Sequence, residues 1–472
     1  MNNNINRFIL FFLILTPWFV FAWQDNLVLS GEGRLRFRYV KANQDEITGT
    51  YGEALRQGLS MRQRFDLSGD FFLTEYLTVG GAVRISNEDS KTMLGPPDLI
   101  STKAVAGWWF ANVYKNPFDV TIGAYETSFT PLTLMRWDQN DNPLGASGCG
   151  CQVAIGGISA ESLEELKEDY RLEGAFAKIE GGLGDISLHF ARPMIADEDT
   201  TYARHVYGGR ARLVLPYTRN FSTMVIGITG LRAQDDVESV DQATYDPLQS
   251  DVIGVDINLP LFWKVSCIAE YARSIRDDNL SSNIDVTHSE NGVMAGLKIT
   301  SSDILDANAL YLRLDPYFSP LYRAISYSKN RQGFRCTITY RKLPVFQQLL
   351  NISIYAKGLR DIKPTWNEAI TEWHSSLADY LVGNVVASLR VSNNWRIESS
   401  YEYRDTQRTD DISTLSIETI DEQTHIASFS IAYGFTLQSS IILKYQFIKN
   451  VDGTGQNDYD VHIPMMEFSF KF

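Results

Sequence analysis

Short segments of alternating polarity recur from Leu27 to the C-terminal Phe472, and this repetition constrains the fold more than any other feature. Successive side chains of a β-strand point to opposite faces, so each segment presents one apolar and one polar face. In the last segment the apolar face carries Phe468, Phe470 and Phe472. Its polar face carries Glu467, Ser469 and Lys471. The repetition predicts a chain built almost entirely from strands.

After the N-terminal region, no apolar run is long enough for a membrane-spanning helix. Only helices and closed barrels cross a bilayer, because every backbone polar group must be satisfied within the hydrocarbon. No linker or change of composition divides the chain into domains. The sequence therefore predicts an all-β fold, in which residues 23–472 form a single transmembrane antiparallel β-barrel.

The predicted connections alternate between tight turns, such as Lys115–Pro117, and long loops. A soluble sandwich has short connections at both ends, whereas a bacterial single-chain barrel has short periplasmic turns and long extracellular loops. We therefore expect periplasmic termini and about 20 strands, with about 18 as the alternative if one hairpin is misread. Segments 103–114, 394–404 and 423–436 are among the predicted strands.

Residues 1–22 have the pattern of a secretory signal peptide. Arg7 precedes an apolar run from Phe8 to Val20, and Val20-Phe21-Ala22 offers a small-residue cleavage site. The run is too short and too interrupted for a membrane anchor. We expect cleavage after Ala22 and localisation in the cell outer membrane, with the lipids of that membrane as the barrel's surroundings.

The net charge of −14 is unevenly distributed along the chain. The long connections are strongly acidic, so the strands are net basic, and alternation keeps their charges off the lipid-facing side. Residues on the polar face of each strand are therefore expected to point into the lumen. The cations at these positions are Arg34, Arg36, Arg38, Arg62, Arg64, Arg84, Arg210, Arg212, Arg335, Arg341, Arg390, Arg396, Arg404, Lys444 and Lys471.

Two interpretations of these cations remain open. They can pair with wall acids such as Glu32, Glu402 and Glu467 into ladders that stiffen the barrel. Alternatively, their excess over nearby acids on the first strands lines a path for anions, because guanidinium forks suit carboxylates, phosphates and sulfates. The second interpretation predicts an anionic solute or polysaccharide as partner, and no nucleic acid.

The third long connection, 127–169, is far longer than the others, and a loop of this length usually has a function. Ser159 is suited to cap a short amphipathic helix. The connection can fold into the lumen as a constriction or cover the barrel as an external lid. As a constriction it would set its acids against the arginine wall. These acids are Asp138, Asp141, Glu161, Glu164 and Glu165.

The cysteines and histidines give little support for chemistry. Cys149 and Cys151 can form a strained local disulfide or bridges elsewhere, and their connectivity is not readable from the sequence. Cys267 and Cys336 fall on the apolar parity and are expected to face lipid. The six histidines show no catalytic or metal-binding spacing, so we expect no enzyme, metal or cofactor. An outer-membrane lipase, with a serine and a histidine on the lipid-facing surface, is the remaining enzymatic alternative.

Two resemblances add to this interpretation. A terminal strand that ends on Phe resembles that of outer-membrane proteins generally, which implies recognition by the barrel-assembly machinery. The segments GRLRFRY, SMRQRF and YLTVGGAVRIS resemble the alginate-export family of outer-membrane barrels. That resemblance implies passage of an anionic polysaccharide along Arg34, Arg36, Arg38, Arg62, Arg64 and Arg84.

The chain also departs from that family, because the strand before the long connection ends in GAYE and the predicted strand number is higher. Alginate is therefore one candidate solute among several. The competing function is a non-conducting barrel, structural or adhesive, whose lumen is plugged and held by ion pairs.

Overall fold

The computed structural model shows a closed antiparallel barrel. It describes residues 26–43, 58–86, 103–105, 109–125, 127, 129–133, 172–194, 203–217, 222–239, 246–262, 264–277, 279–280, 287–301, 304–318, 330–345, 348–363, 366–367, 372–373, 377–412, 416–436, 438–453 and 458–472.

The strands in the first half of the chain are β1 Leu27–Ala42, β2 Gly58–Phe72, β3 Leu77–Ser86, β4 Lys103–Val105, β5 Trp109–Lys115, β6 Phe118–Tyr125, β7 Leu172–Gly181, β8 Gly184–Met194, β9 Ala203–Tyr217, β10 Ser222–Asp236 and β11 Gln249–Phe262. Those in the second half are β12 Val265–Asp277, β13 Thr287–Ser301, β14 Leu305–Leu314, β15 Arg331–Val345, β16 Gln348–Asp361, β17 Trp366–Asn367, β18 Glu372–Trp373, β19 Asp379–Arg390, β20 Trp395–Ile412, β21 Ser416–Gly434, β22 Ser439–Asp452 and β23 Tyr459–Lys471.

Twenty of these strands pair in sequence order to form the barrel, which confirms the predicted fold class and strand number. The short β4 is an extra strand that pairs with the end of β3, and β17 and β18 form a separate small hairpin. A 3₁₀ turn at Val237–Ser239 follows β10. No helix among the described residues is long and apolar enough to span a membrane.

The barrel closes where β1 pairs with β23, and two glycines allow the close approach. A Cβ on Gly33 would lie 2.2 Å from Cζ of Phe470, and one on Gly31 would lie 2.3 Å from Cζ of Phe472. These rings therefore lie directly over glycine backbone at the seam. Side chains that stack across neighbouring strands stabilise a sheet, and here they help to close it.

The two faces of the barrel wall differ as the alternation predicts. Large apolar side chains on the outer face are well exposed, for example Phe334 at 68%, Ile253 at 60% and Leu188 at 58%. Their immediate neighbours in sequence, such as Arg335 and Ser187, are buried on the inner face. An outer face of this kind fits hydrocarbon, which is the property required of a membrane barrel.

Several strand ends differ from the prediction. The predicted strand 103–114 is divided into β4 and β5, and the predicted loop 405–422 is mostly strand, because β20 and β21 continue until only residues 413–415 separate them. The loop 359–378 contains the end of β16 and the β17–β18 hairpin. Apolar alternation ends at the membrane boundary, whereas backbone pairing can continue in water. Periodicity therefore underestimates strand length.

Candidate functional site

The inner wall near the seam carries a buried ion pair between adjacent strands. Arg36 donates through Nε and Nη2 to Oε2 of Glu467, at 2.8 and 2.6 Å, and both side chains are almost fully buried. The register places Arg36 opposite Glu467 on β23 and opposite Arg62 on β2. Directly opposed like charges are unfavourable. The acid on the other neighbouring strand compensates for that arrangement.

Two further buried cations of the inner wall are held in the same way. Arg210 binds both carboxylate oxygens of Asp256, at 2.6 and 2.8 Å, and also donates to Oγ1 of Thr229 at 3.1 Å. Arg404 donates through Nε to Oε1 of Glu402, which is 1% exposed. Paired, buried groups of this kind stabilise the wall, because removal of one partner leaves an uncompensated charge.

A second group of cations lies at the end of the barrel that carries the tight turns and Phe472, which we call the tight-turn end. Arg212 pairs with Asp185 next to the β7–β8 turn, and Nη2 of Arg341 pairs with Asp306 at 2.5 Å. Both arginines keep more than two fifths of their side-chain surface exposed. Lys471 at the same end is 65% exposed and lies 3.3 Å from Glu32, which also accepts from Arg34 at 2.7 Å. These pairs leave much of each cation open to solvent.

Arg390 and Arg396 are two further exposed cations at this end. They lie opposite each other on β19 and β20, beside the turn 391–394, and both are exposed. Arg390 donates only to the turn, to the carbonyl oxygen of Ser392 at 3.4 Å and to Asn393 Oδ1 at 3.5 Å. Within the described residues, no ion pair is recorded for Arg390, Arg396 or Lys444.

Of the remaining predicted cations, one has a described side chain and four have only a described backbone. Arg335 is buried on the inner parity of β15 at 6% exposure. The side chains of Arg38, Arg62, Arg64 and Arg84 lie outside the described part of the structure. Their backbone positions are fixed by register, which sets Arg64 opposite Arg34, Arg62 opposite Arg36, Arg38 opposite Ser60 and Arg84 opposite Asp66. A role in solute binding remains a prediction for the whole set.

The inner wall of β11 to β14 carries an apolar patch beside polar residues such as Asp256 and Glu270, and the sequence did not predict this patch. Its buried cluster consists of Leu132, Val252, Ala272, Met294, Leu310, Leu312, Leu314 and Phe318. Leu132 and Phe318 belong to connections rather than strands, and both are fully buried. The two connections therefore cover this part of the wall from inside the barrel.

The start of the long connection 127–169 is fixed inside the lumen. The backbone N–H of Leu132 donates to Oε1 of Glu270 on β12 at 2.9 Å, and Thr130 and Thr133 close a short turn through their hydroxyls at 2.5 Å. The ring of Phe129 lies 5.4 Å from that of His189 on the inner face of β8. Residues 129–133 thus follow the inner wall, and residues 134–171 lie outside the described part of the structure.

Other contacts absent from the sequence prediction lie where strands exceed their predicted ends. Nε of Arg331 lies 3.7 Å from Oδ1 of Asp361, and the Arg331 guanidinium lies 3.7 Å from the centre of the Tyr380 ring. Arg331 and Asp361 both fall in predicted loops. Their charged, non-alternating surroundings gave no apolar signal that would assign them to strands.

Two histidines on the outer face hydrogen-bond to tyrosines. Nδ1 of His425 shares a hydrogen bond with the hydroxyl of Tyr401 at 2.8 Å, and Nδ1 of His462 shares one with Tyr445 at 2.6 Å. The partner is a tyrosine in both pairs rather than a serine. Aromatic side chains with a polar tip are typical of the interfacial girdle of a membrane barrel.

Several predicted features lie outside the described residues: the signal peptide 1–22, the cysteines Cys149 and Cys151, and the loop acids Asp138, Asp141, Glu161, Glu164 and Glu165. Cys267 and Cys336 are described as free thiols on the outward parity. Among the described residues, no group of three His, Cys, Asp or Glu side chains could hold a metal ion.

A closed antiparallel barrel with an apolar exterior and a charged interior defines a class, the outer-membrane β-barrel proteins. No protein-family model matches this chain, and no curated protein matches it. The alginate-export resemblance therefore remains a hypothesis.

The solved structures to which this chain is similar have low sequence identity to it. OpdQ of Pseudomonas aeruginosa is 11% identical, with 94% of this chain and 99% of that chain covered and a TM-score of 0.42. OccAB3 of Acinetobacter baumannii is 10% identical, with coverages of 94% and 99% and a TM-score of 0.41. The outer membrane protein OprD of P. aeruginosa is 10% identical, with coverages of 95% and 96% and a TM-score of 0.40. At these TM-scores the likeness carries no functional argument.

Proposed function

We propose that this protein is an outer-membrane channel through which small or polymeric anionic solutes pass along the charged side of the lumen. The observation that carries the proposal is the position of the exposed inner-wall cations at the tight-turn end. Arg212, Arg341, Arg390, Arg396 and Lys471 are all exposed there. A closed barrel with accessible guanidinium groups at one mouth is suited to attract and pass anions.

The lumenal arginines differ in how accessible they are to a solute. Arg36, Arg210 and Arg404 are buried against carboxylates, so a passing solute would have to break those pairs to reach them. Arg390 and Arg396 present two opposed positive charges beside a turn. Like charges at this spacing are unfavourable alone and are relieved when an anion binds between them. Charge focused at a pore mouth also raises the local concentration of oppositely charged solutes.

The competing function, a non-conducting barrel, is favoured by the apolar cluster around Leu132 and Phe318. Two connections that pack against the inner wall reduce the open cross-section. The two functions differ in conductance, because a plugged barrel passes no measurable current.

Substitution of Arg390 and Arg396 at the tight-turn end provides a direct test. In planar bilayers under a salt gradient, the double variant Arg390→Glu/Arg396→Glu should lower the permeability ratio of chloride over potassium roughly tenfold at low salt, because the mouth potential is reversed. The matched control is Arg192→Glu/Arg360→Glu, on the outward parity of β8 and β16, where the same charge change lies outside the lumen. An unchanged ratio in the double variant would contradict the assignment of these residues.

A further inference from the structure

Three of the arginines that lie on the outer face, in the part of the barrel that the structure describes, are on alternate strands. Arg232 on β10, Arg273 on β12 and Arg313 on β14 share the parity of exposed apolar residues such as Ile228 and Tyr271. The side chains of Arg232 and Arg313 are 42% and 47% exposed. Charged side chains on the lipid-facing side are costly except near the bilayer surface. Their position therefore needs an explanation other than the pore.

The register places these arginines in one row. Val293 on β13 pairs with Tyr271 on one neighbouring strand and with Arg313 on the other. Arg273 lies two residues after Tyr271 on β12. Arg273 in turn pairs with Ile253, which pairs with Gly230, two residues before Arg232. The offset is therefore two residues from β14 to β12 and two residues from β12 to β10. Because the strands of a barrel are tilted, residues at one depth in the membrane are offset regularly from strand to strand. Strands are about 4.8 Å apart, so neighbouring arginines of the row are about 10 Å apart across the sheet.

Protein contacts orient the guanidinium groups without enclosing them. Nε of Arg273 donates to Oγ of Ser289 at 2.8 Å, and Nε of Arg313 donates to Oδ1 of Asp315 at 3.1 Å. In both side chains the recorded bond uses Nε, so both η nitrogens remain able to donate. Arg232 is held more firmly, by both oxygens of Asp251 at 2.5 and 2.7 Å. Guanidinium forks fixed in this way are suited to phosphate oxygens.

The wall on the tight-turn side of the row is apolar. Ile228, Ile253, Val255 and Leu297 are between 46% and 60% exposed on that side. A shallow groove on the outer face is lined by Tyr271, Asn291, Val293, Arg313 and Asp315, so apolar and charged groups meet within it. A ligand that fits both parts must carry an acyl chain and an anionic head.

We infer that the row Arg232–Arg273–Arg313 binds the phosphate headgroups of anionic lipids at the bilayer surface on the side of the long connections. Arginines next to a membrane surface attract anionic lipids, and each contributes roughly a fivefold gain in affinity. The inference does not depend on the proposed channel, because the row lies on the opposite face of the wall.

The test is a lipid titration of the folded, detergent-solubilised protein followed by native mass spectrometry. The probe is dioleoyl phosphatidic acid, with dioleoyl phosphatidylcholine as the neutral comparison. The wild-type protein should bind phosphatidic acid preferentially, and Arg232→Gln/Arg273→Gln/Arg313→Gln should weaken that binding roughly a hundredfold. The charge-matched control is the lumenal triple variant Arg212→Gln/Arg390→Gln/Arg396→Gln, which should retain the preference. A heat-dependent shift on gels checks that each variant is folded.

Three outcomes would overturn the inference. The outer triple variant could bind phosphatidic acid as the wild type does, or the lumenal triple variant could lose the preference equally. Inorganic phosphate at millimolar concentration could also displace the lipid completely, which would assign the row to free phosphate. We expect instead that inorganic phosphate competes weakly, because it lacks the acyl chain that contacts the apolar wall.

Discussion

The inner wall near the seam and the apolar patch on the inner wall of β11 to β14 have the same backbone geometry but opposite chemistry. The first carries charged pairs such as Arg36 with Glu467. The second carries Val252, Met294 and Leu312, covered by Leu132 from a connection. Both faces point into one lumen. Strand alternation alone therefore fixes which residues face inward but does not decide whether an inward face meets water or protein.

The two regions have different roles within the barrel. Apolar side chains are buried favourably only against other apolar groups, so the β11–β14 wall is a docking surface for the connections that enter the lumen. The exposed cations remain for a solute, and they gather at the tight-turn end. The lumen thus combines an apolar patch that packs against connections with the proposed solute path along the exposed cations.

Removal of the buried acid should have the largest effect. Glu467→Ala removes the carboxylate that accepts two hydrogen bonds from buried Arg36, and loss of one member of a buried ion pair costs about 3–5 kcal/mol. The free energy of unfolding, measured by urea titration in lipid vesicles, should fall by this amount. A change below about 1 kcal/mol would mean that the seam does not depend on this pair.

Truncation of the docking residue should act on the opposite wall. Leu132→Ala removes a fully buried side chain from the apolar cluster, at an expected cost of about 2–4 kcal/mol to docking of the connection. Single-channel recording should show a larger and noisier conductance, because the segment leaves the wall more often.

The matched control for that variant is Leu297→Ala, which truncates a leucine on the outer face that is 48% exposed. Its conductance should equal that of the wild type. Equal conductance in both variants would show that Leu132 does not restrict the lumen.

The smallest effect should come from an exposed pair. Lys471→Gln removes the ion pair with Glu32 at the tight-turn end, where the lysine is 65% exposed. Solvent screening limits such pairs to about 0–1 kcal/mol. Urea titration should therefore separate this variant clearly from Glu467→Ala. A loss as large as that of the buried pair would remove the distinction between the two groups of cations.

The sequence predicted the fold well because alternation is a direct consequence of a two-faced wall. The all-β class, the number of barrel strands and the tight turns at 116–117 and 182–183 follow from it. The ends of β20 and β21 did not follow, since the sequence there does not alternate regularly between apolar and polar residues. Periodicity carries no information about a strand in water on both sides.

The site was less predictable because a single strand does not show what lies across the lumen. The alternation correctly predicts that Arg210 faces inward and Ala211 outward. It does not predict that Arg210 binds both carboxylate oxygens of Asp256, which lies two strands away. The contact of Leu132 with Glu270 spans more than a hundred residues. Interactions of this kind depend on where a connection folds back, which local pattern does not encode.

The most direct test of the central claim is the reversal potential of the wild-type protein in a planar bilayer under a salt gradient. The account predicts a stable conductance with a reversal potential of the sign that marks anion selectivity, and this selectivity should weaken as salt screens the mouth cations. A cation-selective conductance, or no conductance from correctly folded protein, would contradict it.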